Sequence, residues 1–483
     1  MKRLLIAGVL GAHFAAAAFG AGAVRSPGDL AVGVLCKSTN DECAAFAELV
    51  DVKGLAVRKV TAKDVEKGVL RSLDAFVLPE GAKAPDVEAS GVAEFESHGG
   101  LVVKGGGSAA VDALLRLKAM PPPAPQPWPA KSADALKVVV FRGRGVGDDL
   151  EARRMDVCPE FDLKFANGAD VAAGALNDAD LVLHAGGSGE GQFFELGTNG
   201  VAAEREFLRR GGLYHGTCAG AFLVLQPTRR KRNQMVPFKP DDPGSYRGGA
   251  TVRIDFTDEG QAALGMGRER MVWYHGGPAM IPGAPVDEAD IKVLARYGDK
   301  AVDAEKPKLI ATMAGKAAML GGTFGKGRMF LCGPHPEQSD ATVGIFYSGL
   351  EWLTGRKPNP QPRWHLRGAP NVFVRSGRRT VENARLAQAI WRDVGLNFVD
   401  TPGECDVAVV SEPVAATFKV LAGYGGPMVL LATLPEAKAE LKKHRLDGAV
   451  RIKTAGEALV KMREILAAAK RSPGTSALDI GGK

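Results

Sequence analysis

Short apolar runs alternate with stretches of helical periodicity along most of this chain. Between residues 28 and 118, the runs 31–35, 56–60, 75–78 and 101–103 consist almost wholly of Val, Leu, Ala and Phe, apart from Gly33, Arg58 and Lys59. Runs of that length, bounded by turn residues, predict strands buried on both faces, and the amphipathic stretches between them predict helices. Strict alternation of the two gives a parallel, doubly wound sheet. The scheme returns after residue 368, where 372–374, 407–410, 428–431 and 449–452 predict strands and 381–394 and 455–469 predict helices. The intervening region, 135–356, carries further strand candidates at 181–184, 213–215 and 328–332. Six prolines between Pro121 and Pro129 exclude a helix or a central strand and mark 119–134 as a spacer. Pro358, Pro360 and Pro362 mark a second break. The expected organisation is therefore an α/β domain at 28–118, a larger one at 135–356 and a small one at 368–470, with a loose tail over 471–483.

Composition narrows the class of protein. A chain of 483 residues fits about three domains of about 150 residues each. Its 61 glycines suit many tight strand-to-helix turns, and 45% hydrophobic with 24% charged residues excludes a disordered or fibrous chain. The net charge of +7 comes from 62 basic and 55 acidic residues. These are interspersed apart from the run Arg229, Arg230, Lys231, Arg232, so no nucleic-acid partner is expected. The run falls in an excursion from 227 to 250, expected to be a solvated flap. At the N-terminus, Lys2 and Arg3 precede an apolar stretch from Leu4 to Phe19, then Ala21-Gly22-Ala23. That pattern predicts a signal peptide over 1–23, cleaved near Ala23, and a secreted or periplasmic protein with no membrane span in its mature form. The six cysteines have no paired C-x-x-C spacing, which argues against a structural zinc site. Cys36 and Cys43 are the nearest pair, and whether they are bonded is left open.

Three motifs carry chemistry. In "GGLYHGTCAGAFLVL", Gly216 and Gly220 flank Cys218 between a strand end and a helical stretch, the pattern of a nucleophile elbow. A thiol at a helix N-terminus ionises more readily, so Cys218 is the candidate nucleophile. In "MFLCGPHPEQSD", His335 and Glu337 follow a strand and, two residues apart, can project along one side of an extended backbone. They suit a base and its orienter. The turn Gly186-Gly187-Ser188 follows the strand at 181–184, and the N–H groups of Gly187 and Ala219 would form an oxyanion hole. Tyr274, in "WYHGGPAM", is a candidate for the pocket rim, the alternative being a structural role at an aromatic-rich strand end. His184, His215, His275 and His335 lack metal-ligand spacing, so neither a metal nor a cofactor is expected.

The first and middle segments share a further likeness. "LDAFVLPEGAK" with "VAEFESHGGLVVKGGGSAA" can be laid on "ADLVLHAGGSG" with "AEREFLRRGGLYHGTCAGA", which puts Gly106 where Cys218 stands. Either a degenerate copy lacking the nucleophile or independent use of common α/β grammar accounts for it.

The blocks "VVVFRGRGVG", "LHAGGSGEGQ", "GGLYHGTCAGAFL", "WYHGGPAM" and "GPHPE" resemble, in that order, the class I glutamine amidotransferase superfamily. They are most similar to the family built on the N-terminal domain of biotin-protein ligases, which includes secreted bacterial members. The resemblance covers about 136–354 and implies flavodoxin-like doubly wound parallel sheets, with a central amidotransferase-like domain flanked by two smaller α/β domains. It also implies a Cys-His-Glu triad, here Cys218, His335 and Glu337. No ligase catalytic domain and no ammonia-consuming synthetase domain is visible, so neither biotin transfer nor a true amidotransferase is implied. The expected function is an exported hydrolase that cleaves an amide or peptide-like bond through a Cys218 thioester, with a small molecule or peptide as substrate. The alternative is a non-catalytic secreted binding or scaffold protein on the same fold. A partner protein is not indicated by the sequence.

Overall fold

The computed structural model describes residues 29–471 apart from 39, 41, 83–90, 148, 229–231, 242–247, 305–310, 376–379, 400–401, 403–404, 411–420, 422–423, 425 and 432–448. Residues 1–23, where a signal peptide is expected, the tail after Arg471 and Arg229, Arg230 and Lys231 lie outside the described residues. The chain divides into two compact units. One is centred on Pro129–Pro362. The other comprises the described residues before Pro129 and after Pro362, apart from the short stretch 380–384, which counts with the first.

Three sheets form. The first contains β1 (Leu30–Leu35), β2 (Leu55–Val60), β3 (Ala75–Leu78) and β4 (Leu101–Lys104), all parallel, in the order β2-β1-β3-β4. The middle sheet begins with β5 (Leu136–Phe141), β6 (Phe161–Ala166), β7 (Leu181–His184) and β8 (Leu213–Thr217). It continues with β9 (Phe238–Pro240), β10 (Gly249–Phe256), β11 (Glu269–His275) and β12 (Met280–Pro282), then β13 (Ala289–Val302), β14 (Ala317–Phe324) and β15 (Gly327–Cys332). Its parallel core runs β6-β5-β7-β8-β15. The third sheet contains β16 (Asn371–Arg375), β17 (Asn397–Val399), β18 (Val407–Val410), β19 (Met428–Leu431) and β20 (Val450–Ile452), parallel in the order β17-β16-β18-β19-β20. In every sheet the first strand lies between the second and the third, which is the flavodoxin-like winding.

The three sheets also share one local device. Asp74, Asp180 and Asp406 each stand just before the third strand of their sheet and clasp the backbone at the start of the first. Asp74 Oδ2 accepts the Ala31 N–H at 2.7 Å while its own N–H donates to the Ala31 carbonyl at 2.8 Å. Asp180 does the same with Lys137 at 2.8 and 2.9 Å, and Asp406 with Asn371 at 2.7 and 2.8 Å. A carboxylate here satisfies an N–H that lies ahead of the strand ladder, where an orphan donor would be costly. Within the second unit, the segment after Pro362 joins the first and third sheets. Trp364 stacks on His98 at 4.7 Å between centroids, His365 lies 3.5 Å from Asp74, and Arg363 donates to the carbonyls of Asp393, Val394 and Leu396. The second break in the sequence is thus a tightly bonded strap, because its Arg, Trp and His side chains all find partners.

The middle sheet is longer than the alternating pattern suggests. Beyond β15 it extends antiparallel through β14-β13-β10-β11, with β12 paired to β14 and β9 to β12. The burial of β10 alternates, inner positions closed and outer ones half-open, as expected of an antiparallel strand with one wet face. The described part of the excursion that follows the elbow is not a solvated flap. Arg232, Asn233, Met235 and Val236 are buried, and the N–H groups of Asn233 and Met235 bond the Leu223 and Val224 carbonyls at 2.7 and 2.8 Å. Those carbonyls end the short helix Ala219–Val224 and need such partners.

Candidate functional site

Cys218 directly follows β8 and caps the helix Ala219–Val224, with φ 50° and ψ −97°. A side chain in that region costs about 1–3 kcal/mol and persists only where the surroundings fix it. The fixing is visible. The Cys218 N–H donates to the Cys332 carbonyl at 2.7 Å, and the Phe222 N–H donates to the Cys218 carbonyl at 2.9 Å. Gly220 closes the elbow: a Cβ there would lie 2.1 Å from the His184 carbonyl oxygen, so no other residue fits.

His335 follows β15 and is anchored by its N–H to the Trp273 carbonyl at 2.7 Å. Its Nδ1 lies 2.7 Å from Glu337 Oε1, and Glu337 is fully buried. The sequence pattern suggests an extended backbone here, whereas Pro336–Gln338 form a 3-10 turn that folds the carboxylate back onto the ring. Burial alone would lower the basicity of His335. The Glu337 carboxylate, together with the neighbouring Cys218, reverses the sign and holds His335 well above the ordinary histidine value. The arrangement sets a thiol near an imidazole whose Nδ1 is held by a buried carboxylate, the layout of a nucleophile, a base and its orienter.

The glycine turn packs against both groups. A Cβ on Gly186 would lie 2.9 Å from His335 Cε1 and 3.7 Å from Cys218 Cβ. Gly187 bridges Val146, through the bonds Gly147 N–H to Gly186 O and Ser188 N–H to Gly145 O at 2.6 and 2.7 Å. Neither bond uses the N–H of Gly187. Ala219, fully buried, begins the helix beside Cys218, and its N–H belongs to the first turn, which has no intrahelical acceptor.

Two candidates have other places. Ser188 caps the helix Gly189–Arg209 by accepting the Gly191 N–H at 3.2 Å. Tyr274 is wholly buried, with its hydroxyl donating to the Gly277 carbonyl at 2.9 Å, and so lies in the core rather than at a rim. Gly186 lines the site, but its N–H is engaged by a residue that no sequence motif singles out. Glu151, 1% exposed, accepts it at 3.1 Å. Glu151, His335 and Glu337 bring side-chain ligand atoms within 4.8 Å of one another, which makes them the one group among the described residues with a spacing that suits a cation. The Nδ1 of His335 is directed to Glu337 in this arrangement, so the geometry serves a proton. Glu151 stands in "GDDLEARRMD", a charged stretch whose sequence reads as an exposed helix start, and only the fold turns it inward.

Behind the elbow lies a buried polar chain. His184 Nδ1 is 2.9 Å from Gln192 Oε1 and its Nε2 is 2.6 Å from Glu204 Oε1, while Asn233 donates to Glu204 at 3.2 Å. His184 stacks on Phe141 and Tyr214, which ties the end of β7 to the elbow helix. His215, one strand over, packs against Phe330 and Phe346. These histidines are therefore structural.

Residues 242–346 match the family model described as biotin-protein ligase, N terminal. The matched stretch contains His335 and Glu337, and Cys218 lies before its start. No curated protein matches the chain. Among solved structures, a GMP synthase component from Thermoplasma acidophilum is 16% identical with a TM-score of 0.31, covering 46% of this chain and 96% of that one. A ThuA-like protein from Bacteroides uniformis is 11% identical at TM-score 0.31, covering 48% and 96%. A β-galactosidase from Rahnella sp. R3 is 12% identical at TM-score 0.29, covering 66% and 42%.

Proposed function

We propose that this chain, with its biotin-protein ligase N-terminal segment over residues 242–346, is an exported thiol hydrolase of an amide or peptide-like bond. The observation that carries the proposal is a single one: a cysteine on a strained strand-to-helix elbow, packed with a histidine against the same glycine, the Nδ1 of that histidine held 2.7 Å from a buried glutamate. In the reaction, the Cys218 thiolate attacks the acyl carbon and the carbonyl oxygen takes up charge facing the N–H groups of Gly187 and Ala219. The C–N bond breaks as the His335 imidazolium gives its proton to the departing amine, leaving a thioester on Cys218. His335, now neutral, takes a proton from water, and the hydroxide attacks the thioester to release the acid and restore the thiolate. Residues 1–23 support export. Among the described residues no helix is long and apolar enough to cross a membrane.

A second reading, a non-catalytic exported binding protein, is favoured by the closure of the site, where Cys218 is only 4% and His335 8% exposed. Hydrolysis across a library of amides, peptides and activated esters separates the two. The catalytic reading expects turnover that disappears in Cys218→Ala and His335→Ala and survives in part in Glu337→Gln. Turnover unchanged in Cys218→Ala excludes it.

A further inference from the structure

Among the described residues, Glu151 is a buried acidic residue at this site to which the triad gives no role. It lies at the start of the helix Leu150–Asp156, and its Oε1 accepts the N–H of Gly186, while the Gly186 carbonyl accepts the Gly147 N–H at 2.6 Å. Gly186 is thereby gripped on both sides of its backbone. It is also the residue wedged against the His335 ring edge and the Cys218 Cβ, and it directly precedes Gly187, whose φ of 136° no L side chain adopts readily. The orientation of the Gly187 N–H thus depends on a peptide turn whose hold on one side is a side chain from another element.

We propose that Glu151 is a positioning residue for the oxyanion hole: by fixing Gly186, it aims the Gly187 N–H at the oxygen that becomes negative during acyl transfer to Cys218. The inference rests on the thiol-hydrolase reading and extends it. A residue of this kind acts on one step and not on another. Alkylation of Cys218 by iodoacetamide needs a thiolate but develops no oxyanion on the substrate, whereas acylation by p-nitrophenyl acetate passes through a tetrahedral oxyanion. Loss of the aim therefore slows acylation selectively.

The experiment compares both rates at Cys218 in the full-length wild type, Glu151→Met and Glu151→Gln, read by mass spectrometry of the Cys218 peptide. Met keeps the length and much of the volume of Glu but offers no good acceptor, while Gln keeps an oxygen for the Gly186 N–H. The expected result is an acylation rate about 100-fold lower in Glu151→Met, with the alkylation rate within about twofold of wild type and most of the acylation recovered in Glu151→Gln. An unfolded chain would still expose this thiol to iodoacetamide while losing the site, so circular dichroism and melting curves matching wild type are required of each variant, and its rates are taken on the folded protein. Equal loss of both rates, loss of neither, or failure of Glu151→Gln to recover acylation overturns the role of Glu151 alone. A wild type that is alkylated but never acylated overturns the hydrolase reading as well.

Discussion

Cys218 combines a backbone angle that costs energy with a position between two hydrogen-bonded strands, and its chemistry follows from that placement. The other cysteines set the contrast. Burial pushes the thiols of Cys158 and Cys405 up to about 12, and burial with the nearby Glu337 raises Cys332 well above its ordinary value. Iodoacetamide near neutral pH should therefore modify Cys218 well before Cys158, Cys332 or Cys405, as peptide mass spectrometry over time would record. His335→Ala should slow that labelling at least tenfold, since the imidazolium partner is gone. The sign of the pH effect is also fixed. A histidine raised by its partners contributes stability that is complete below its unfolded value of about 6.5 and is lost as pH rises through its folded value. The difference in melting temperature between wild type and Glu337→Gln should accordingly be largest near pH 6 and shrink toward alkaline pH. A difference that grows with pH would contradict the pairing.

At the level of elements, two buried histidines make opposite demands on neighbouring strands. His184 at the end of β7 faces acceptor oxygens at both ring nitrogens, one of them a buried carboxylate. Removing that carboxylate in Glu204→Ala should cost about 3 kcal/mol in urea unfolding, because it strands a polar ring beneath the elbow. His215 on β8 has no hydrogen-bond partner for either nitrogen, and burial pushes its pKa down to about 3. Below about pH 6.5 the unfolded chain takes up a proton that the folded chain refuses until about pH 3, so this residue alone removes about 5 kcal/mol of stability across that range. His215→Leu should flatten the acid limb of the stability curve, whatever it does to stability at neutral pH. The parallel strands were legible because they are apolar on both faces: 75–78, 407–410 and 428–431 coincide with β3, β18 and β19. The antiparallel extension was not, since β10 and β13 alternate polar and apolar residues in a way that a sequence shares with many surface segments. Cys218, His335 and Glu337 were legible from glycine spacing and from a strand-to-loop change. Glu151 was not, because its burial depends on the contact between its helix and a glycine turn 35 residues on.

Among the described residues, one winding recurs three times, and the strained strand-to-helix turn at Cys218 belongs to the middle instance. In the first sheet, the position matching Cys218 is Gly106, and the helix that follows, Gly107–Ala119, has its first N–H bound by the chain's own Glu48 at 2.6 Å. The proposed chemistry thus resides in the unit centred on Pro129–Pro362, whose site residues lie at the carboxyl ends of strands in one sheet and in the elements that follow them. A fragment of residues 129–362 should fold and label at Cys218 at a rate close to that of the full chain, by circular dichroism and iodoacetamide kinetics. The central claim is that Cys218 is an acyl-accepting nucleophile served by His335. Its most direct test is intact-protein mass spectrometry after brief exposure to p-nitrophenyl acetate and acid quench, with the modified residue located by fragmentation. A single acetyl group on Cys218 in the wild type, absent from Cys218→Ala and strongly reduced in His335→Ala, is the predicted result. Acetylation confined to lysines, with Cys218 unmodified in every form, would contradict it.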